Sequence, residues 1–554
     1  MAPLPPHFVT DDQGYDSPAT TPTLINKSSN NSMEVLQPLT RALVRHSSSI
    51  IRNLSKNTLT ELVNNTTRRD DSSITEVPVT FENQIRPLQC AAQEYAWGRT
   101  GMNSTVARMK DANDASFQVK ESTPYAELWL GTHPNGMSTV VIDNQYSNEA
   151  TSSQNQTQTM TLLDYVQSNP ELHCGSNEQD LTFLFKVLSI EKVLSIQAHP
   201  DQQLAQRLHV EKPHLYKDPN HKPEMAIALS QRVRAMCGFR SLLEISHHLQ
   251  IYPEFAALVG SEATQNIREC CQDLAGSSRE GISTQQTKYA IQQMFESFLT
   301  NESSNIHTQL DLLLTRLATQ QKESSLSKVE QLMMQLSTQF PHDSGIMAPL
   351  FLNIVELSQG EALFIGANEP HAYISGEILE CMACSDNVVR AGLTPKPKDV
   401  QTLVEMCTYE SEQPPLVQYG TLQDTMTMRY EPPVQDFCVE MIIVPPNSKY
   451  DIVNVPSPST LLTLSGSAFL VQYHQEDNDD DDDDGDDTSS SSGSNATTTT
   501  GVIANLPVSF GSAAFCSANT RTTIVTGPNE GVHLTRAFTN VYYNSSPQDQ
   551  PDDF

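Results

Sequence analysis

Residues 360–382 read GEALFIGANEPHAYISGEILECM. Gly360, Gly366, Pro370 and Gly376 divide this stretch into short apolar runs, and each divider is a residue that turns a chain. The runs are too short for helices and are bounded as strands are. The resulting strand–turn–strand rhythm fits a jelly-roll barrel. His371 and Tyr373 lie two residues apart, so in a strand they share a face. In such a barrel they project where its mouth lies.

The same rhythm continues on either side. Residues 181–190 and 193–199 are predicted strands separated by Glu191 and Lys192, and 351–357 and 362–365 are predicted strands as well. After about residue 415, short strands with Pro, Gly and Asn between them run to the end, as in a second sandwich or barrel. Residues 236–345 have a different period. Ile291, Met294, Phe295 and Phe298 recur at helical spacing, as do Leu310, Leu313, Leu314 and Leu317, and Val329, Leu332, Met333, Leu336 and Phe340. At least three amphipathic helices are predicted there. Two stretches lack the apolar residues for a core. One is the Ser/Thr/Asn/Pro-rich beginning, 1–84. The other is 476–500, Asp-rich and then Ser/Thr-rich, which reads as a disordered loop inserted between two strands.

The chain has 554 residues and a formal net charge of −32. Ten acidic residues lie in one block between Glu476 and Asp487, but the rest of the chain is acidic too. No long basic stripe is present, so a nucleic-acid partner is not expected. An anionic substrate must be held by a few local cations against the general field. No apolar run approaches the ~20 residues that span a bilayer, so no membrane partner is expected. The N-terminus has no signal-peptide pattern. The basic stretch 41–56 follows acidic residues and reads as a solvated tail. The ten cysteines are scattered, Cys270 and Cys271 are adjacent, and the C-x-x-C of Cys381 and Cys384 has no second pair. A reduced, cytoplasmic protein is expected.

Four segments carry candidate chemistry. In LSIQAHP (194–200), Ser195, Gln197 and His199 fall on one strand face while Leu194, Ile196 and Ala198 fall on the other. In NHKPEM (220–225), Pro223 keeps the chain extended into Glu224. His371 belongs to the opening stretch. Each of these three reads alone as an ordinary hydrogen-bonded or solvated side chain. Together, Gln197, His199, Glu224 and His371 make a plausible zinc site with a position left open, although glutamine is a rare zinc ligand. The fourth segment is SDNVVRAGLTPKPKDV (385–400), where Arg390, Lys396 and Lys398 gather in an acidic chain. Arg390 sits among small and apolar residues and requires a partner: a substrate carboxylate or phosphate, or a structural pair with Asp386 or Asp399.

Read together, YAWG (95–98), PYAELWLGTHPNGMS (124–138), FLFKVLSIEKVLSIQAHPD (183–201), NHKPEMAIAL (220–229) and 366–400 resemble the type I mannose-6-phosphate isomerases, in the same order along the chain. The resemblance is dense over 85–230 and 346–400 and thinner elsewhere. It implies a mainly β fold: two cupin (jelly-roll) barrels, an inserted α-helical domain and a disordered N-terminal extension. The expected division is 1–84 extension, 85–235 with 346–414 catalytic cupin, 236–345 helical, and 415–554 a C-terminal cupin-like domain with the acidic insertion 476–500. It implies one zinc per chain on Gln197, His199, Glu224 and His371, and a catalytic Arg390. Ser195, Lys222, Tyr373, Glu380, Asp386 and Lys396 fall at substrate-binding positions. The chain departs from the family at Gln202, where a lysine commonly follows His-Pro-Asp, and its C-terminal barrel has no His-x-His cluster.

The implied reaction interconverts mannose 6-phosphate and fructose 6-phosphate through an enediol(ate), supplying mannose 6-phosphate for GDP-mannose synthesis, in a monomer whose partner is a small sugar phosphate. Zinc would polarise the carbonyl, and Arg390 would stabilise the developing negative charge. Glu380, Asp386, Lys222 and a zinc-bound water all remain candidates for moving the proton. Two rival readings are an iron-dependent cupin oxygenase and a non-catalytic sugar-binding cupin. Gln197 and the Arg/Lys set speak against the first. The complete ligand set with Arg390 speaks against the second.

Overall fold

A computed structural model describes residues 82–142, 158–276, 284–473 and 501–543. They form two large antiparallel sheets and a helical insertion. The 1–81 part of the expected N-terminal extension and the insertion 476–500 lie outside the described residues.

The first sheet has eleven strands. Seven of them position the site: β1 (Glu127–Leu130), β2 (Phe183–Ile190), β3 (Ile196–Ala198), β4 (Glu224–Ala228), β5 (Glu361–Ile365), β6 (His371–Ala383) and β7 (Val389–Gly392). The long strand β6 is the hub. Its second half pairs with β2 on one side and β4 on the other. Its first half pairs with Arg232–Phe239 and, through His371, with β3. Gly376 stands where the halves meet. Its φ is +122°, and a Cβ there would lie 2.8 Å from a Val233 methyl and 3.0 Å from Val233 Cα. Only glycine lets the strand swing from one set of partners to the other.

The second sheet has twelve strands. It is centred on Ser459–Tyr473, which pairs with Val532–Phe538, Ala513–Cys516, Thr522–Thr526 and Val502–Ser509. Early strands join it: Ile85–Gln89 pairs with Ala513–Cys516 and with Thr139–Ile142. The first and last parts of the described chain are therefore woven into one sheet. A shared core lies between the sheets, with Leu128, Phe183 and Phe185 from the first against Phe437, Val439 and Phe515 from the second.

The helices run from Leu242–Ile251 to Lys328–Gln339. Most of the expected stripe residues are buried: Ile291, Met294, Phe295 and Phe298 in one helix, Leu310, Leu313 and Leu317 in the next, and Leu332, Met333 and Leu336 in the last, whereas Leu314, Val329 and Phe340 are half-buried and Phe340 follows the helix end. Phe255, Phe295, Phe298 and Phe351 pack ring against ring, tying the helices to the first sheet. Two strand boundaries differ from the sequence expectation. Residues 236–239 are still strand, because Met236 and Cys237 pair with β6. Residues 193–195 lie before β3, with Leu194 N–H donating to the Tyr373 carbonyl. Among the described residues no helix is long and apolar enough to cross a membrane.

Candidate metal centre and active site

Three short strand segments lie side by side: the start of β6, then β3, then β7. Gln197 is directly opposite His371 on one side and Arg390 on the other. Residues directly opposite in a sheet share a face, so His371, Gln197 and Arg390 form one row. His199 follows β3, and Glu224 begins β4 opposite Met382 of β6. All of His199, Glu224 and His371 are buried.

Their ligating atoms lie within 4.8 Å of one another. His199 Nε2 is 3.1 Å from Glu224 Oε1, and His371 Nε2 is 3.5 Å from Glu224 Oε2. The tautomers follow from the other ring nitrogens. His199 Nδ1 is 2.7 Å from the Asn387 carbonyl, and His371 Nδ1 is 2.9 Å from the Glu369 carbonyl. A carbonyl only accepts, so each Nδ1 carries the proton and each Nε2 presents a lone pair. Both Nε2 atoms are buried without a hydrogen-bond partner. Two lone pairs thus face a carboxylate, an arrangement that a cation resolves. Neutral imidazoles and a carboxylate, oriented through backbone carbonyls, are the donors zinc takes. Burial, with Lys222 beside it, pushes the His199 pKa down to about 4, keeping the ring neutral. Burial opposes ionisation of Glu224, but the Lys222 ammonium beside it favours the charged form, and the carboxyl lies well below its ordinary range. Lys222 Nζ is 3.4 Å from Glu224 Oε1, and Tyr373 OH donates to Oε2 at 3.3 Å.

A second charged group lies on the same sheet. Glu380 of β6 is directly opposite Lys186 of β2, which is opposite Trp129 of β1. Lys186 Nζ donates to Glu380 at 2.7 Å, stands 3.5 Å from Glu127 and lies over the Trp129 ring. Burial raises the Glu380 pKa to about 7 although Lys186 opposes the rise. Sequence reading missed Lys186 and Glu127. The available signal was a single lysine in an octet, Phe183–Ile190, whose other seven residues are apolar apart from Ser189. A lysine so placed needs a buried counter-charge.

The remaining candidates have surroundings of their own. Asp386 is exposed, takes hydrogen bonds from Asn135 Nδ2 (3.1 Å) and His133 Nε2 (3.2 Å), and is held low by His133. Arg390 is half-buried, its Nε has no partner, and burial is what lowers its pKa. The two carboxylates open to it as structural partners are engaged elsewhere: Asp386 as above, and Asp399 with Lys212 at 2.8 Å and Tyr216 at 3.0 Å. Ser195 is half-buried just before β3, and Lys396 is exposed on the loop after β7. Gln202 ties down the turn before Glu224, accepting from His221 N–H at 3.2 Å and donating to the Pro219 carbonyl at 2.9 Å.

The profile of the type I phosphomannose isomerase catalytic domain matches residues 85–242, and that of the helical insertion domain matches 258–352. The human mannose-6-phosphate isomerase is 40% identical over 397 residues, covering 69% of this chain and 88% of that protein. The chain belongs to the type I phosphomannose isomerase family. Mannose-6-phosphate isomerase 1 of Arabidopsis thaliana is 39% identical over 388 residues, covering 69% of this chain and 84% of that protein. A phosphomannose isomerase from Salmonella typhimurium, solved with fructose 6-phosphate and zinc, is 26% identical with a TM-score of 0.61, covering 83% of this chain and all of that one. The helical insertion and the two sheets are thus features shared with type I phosphomannose isomerases.

Proposed function

We infer that the protein is a zinc-dependent aldose–ketose isomerase that interconverts mannose 6-phosphate and fructose 6-phosphate. The observation that carries this reading is the convergence of His199, Glu224 and His371 with both Nε2 lone pairs unpartnered, in a chain of this family. His199, Glu224 and His371, with Gln197 opposite His371 in the row, would hold the zinc. Bound there, zinc supplies Lewis-acid polarisation of the sugar's carbonyl and adjacent oxygens.

The chain's own residues supply the rest. Arg390 brings a guanidinium that, among the described residues, has an unpartnered Nε–H and no carboxylate paired with it, suited to the negative charge of an enediolate. A proton must move between C1 and C2 of the opened sugar. Of the side chains open to that task, Glu380 is favoured: it stands opposite Ala226, two residues from Glu224, so the two carboxylates share a sheet face, and burial raises its pKa above the ordinary carboxylate range. Lys186 orients it. Lys222 and Tyr373 hold Glu224, and Lys396, Ser195 and Asp386 border the substrate's approach. The catalytic unit would comprise 85–235 and 346–414, with 236–345 helical and 415–554 the second barrel. Ten cysteines, none in a disulfide among the described residues, suit a reducing, cytoplasmic compartment, and we take the working unit as a monomer.

The test is a coupled assay of mannose 6-phosphate isomerisation on zinc-loaded protein, before and after chelation. Activity that disappears with the metal and returns with it is expected. Absence of isomerisation by zinc-loaded protein would overturn the reading.

A further inference from the structure

We propose that Asp218 is a positioning residue for the metal centre: its carboxylate fixes the loop whose Asn387 carbonyl orients His199. The inference rests on the zinc-site reading above and extends it to a residue that touches neither metal nor substrate.

Asp218 lies in the loop before β4, among Lys217, Pro219 and Asn220, where an acidic side chain is usually just solvated. Here it is not. Asp218 Oδ1 accepts from Ser385 Oγ (2.7 Å), Asn220 N–H (3.1 Å) and Asn387 Nδ2 (3.2 Å), and Oδ2 accepts from Asp386 N–H (2.8 Å). The fully buried Asn387 returns the contact, its Nδ2 donating to the Asp218 carbonyl (2.8 Å) and the Asn220 carbonyl (2.9 Å). Ser385 Oγ in turn accepts from Asn387 N–H at 3.1 Å.

Residues 384–388 are neither helix nor strand, so no sheet ladder fixes their backbone. One carboxylate gathers donors from three consecutive residues of that connection, Ser385, Asp386 and Asn387. The Asn387 carbonyl is thereby held 2.7 Å from His199 Nδ1. That single contact fixes both the ring's tautomer and its direction, and a ligand's outer partner tunes metal affinity. The same connection leads through Val389 to Arg390. Asp218 therefore sets the ligand's aim from outside the ligand set.

The experiment compares Asp218→Asn with the parent protein. The substitution keeps the shape but puts an amide N–H into a pocket that supplies only donors, so at least one donor faces another. Two quantities are read: the zinc dissociation constant by competition with a chromophoric chelator, and the visible spectrum of the cobalt(II)-substituted protein, which reports ligand geometry. A zinc dissociation constant raised about 10–100-fold and an altered cobalt spectrum are expected. Glu254→Gln is the stability control, since it weakens the Arg316 pair at 2.7–2.8 Å in the helical region, and it should leave both readouts at the parent's values. If Asp218→Asn does not fold, Ser385→Ala removes one of the same donors and should shift both readouts in the same direction. A folded variant with the parent's zinc affinity and cobalt spectrum overturns the proposal while leaving the zinc-site reading intact. A parent protein that binds no zinc overturns the zinc-site reading and this inference with it.

Discussion

His199 and His371 each commit one nitrogen to a carbonyl and leave the other facing Glu224. Removing either ring leaves a buried carboxylate with an incomplete ligand set. His371→Ala should therefore lose zinc and activity together, as measured by metal analysis and isomerase assay on the same preparation. Arg390→Ala should keep its zinc and lower kcat by roughly 100-fold or more, with a smaller effect on KM, because the guanidinium acts on charge that develops in the transition state. Arg390→Lys should fall between, retaining charge without the planar fork. Steady-state kinetics with zinc content checked on each variant decides it. At this scale the sequence was legible where spacing along one strand sufficed. Two-residue alternation put Gln197 and His199 on one face, and His371 and Tyr373 on another strand. It was illegible where partners come from distant strands. Lys186 meets Glu127 and Glu380 only after β1, β2 and β6 pair, and Asp218 meets Asn387 across two loops.

Elements show the same contrast. The apolar stripes predicted as helices bury most of the expected residues, because a 3.6-residue period survives any tertiary arrangement. The boundary near 236 is harder to see. The sequence MCGF at 236–239 is apolar in a strand or a helix alike, and only pairing with β6 decides it. The last helix of the insertion starts with a capping box: the Ser327 hydroxyl accepts from Glu330 N–H at 3.2 Å, and Glu330 accepts from Ser327 N–H at 2.8 Å. Ser327→Ala should reduce the stability of that region by about 1 kcal/mol, read as a lower urea midpoint. The kcat of the variant should match the parent's, since the Ser327 side chain bonds within its own helix start and to none of the metal ligands.

Across the whole molecule, His173 ties the early helices to the second sheet. Its ring is fully buried against Tyr165, and its Nδ1 is 2.8 Å from Ser517 Oγ. Burial, with Arg86 adding to it, pushes its pKa from 6.5 down to about 4. The unfolded chain therefore binds this proton more readily than the folded one between those values. The contribution is fully present above about pH 6.5 and falls as pH drops towards 4, by up to about 3 kcal/mol. Thermal unfolding midpoints should decline over that window, and His173→Gln should flatten the decline.

Ser459–Tyr473 and Val502–Ser509 pair down to Tyr473 opposite Val502. The two described strands thus end, on either side of the intervening residues, at a single cross-strand pair. Closing a loop across such a pair depends only weakly on loop length, a doubling costing about 0.6 kcal/mol. Deleting 476–500 should accordingly leave isomerase activity within about threefold. The reverse also follows. This junction is a permissive splice point, where evolution can lengthen, recharge or exchange the intervening sequence with little thermodynamic consequence for the barrels. A fluorescent protein inserted there, its own termini close together, should fold as a passenger and leave the enzyme's zinc content and turnover at the parent's values.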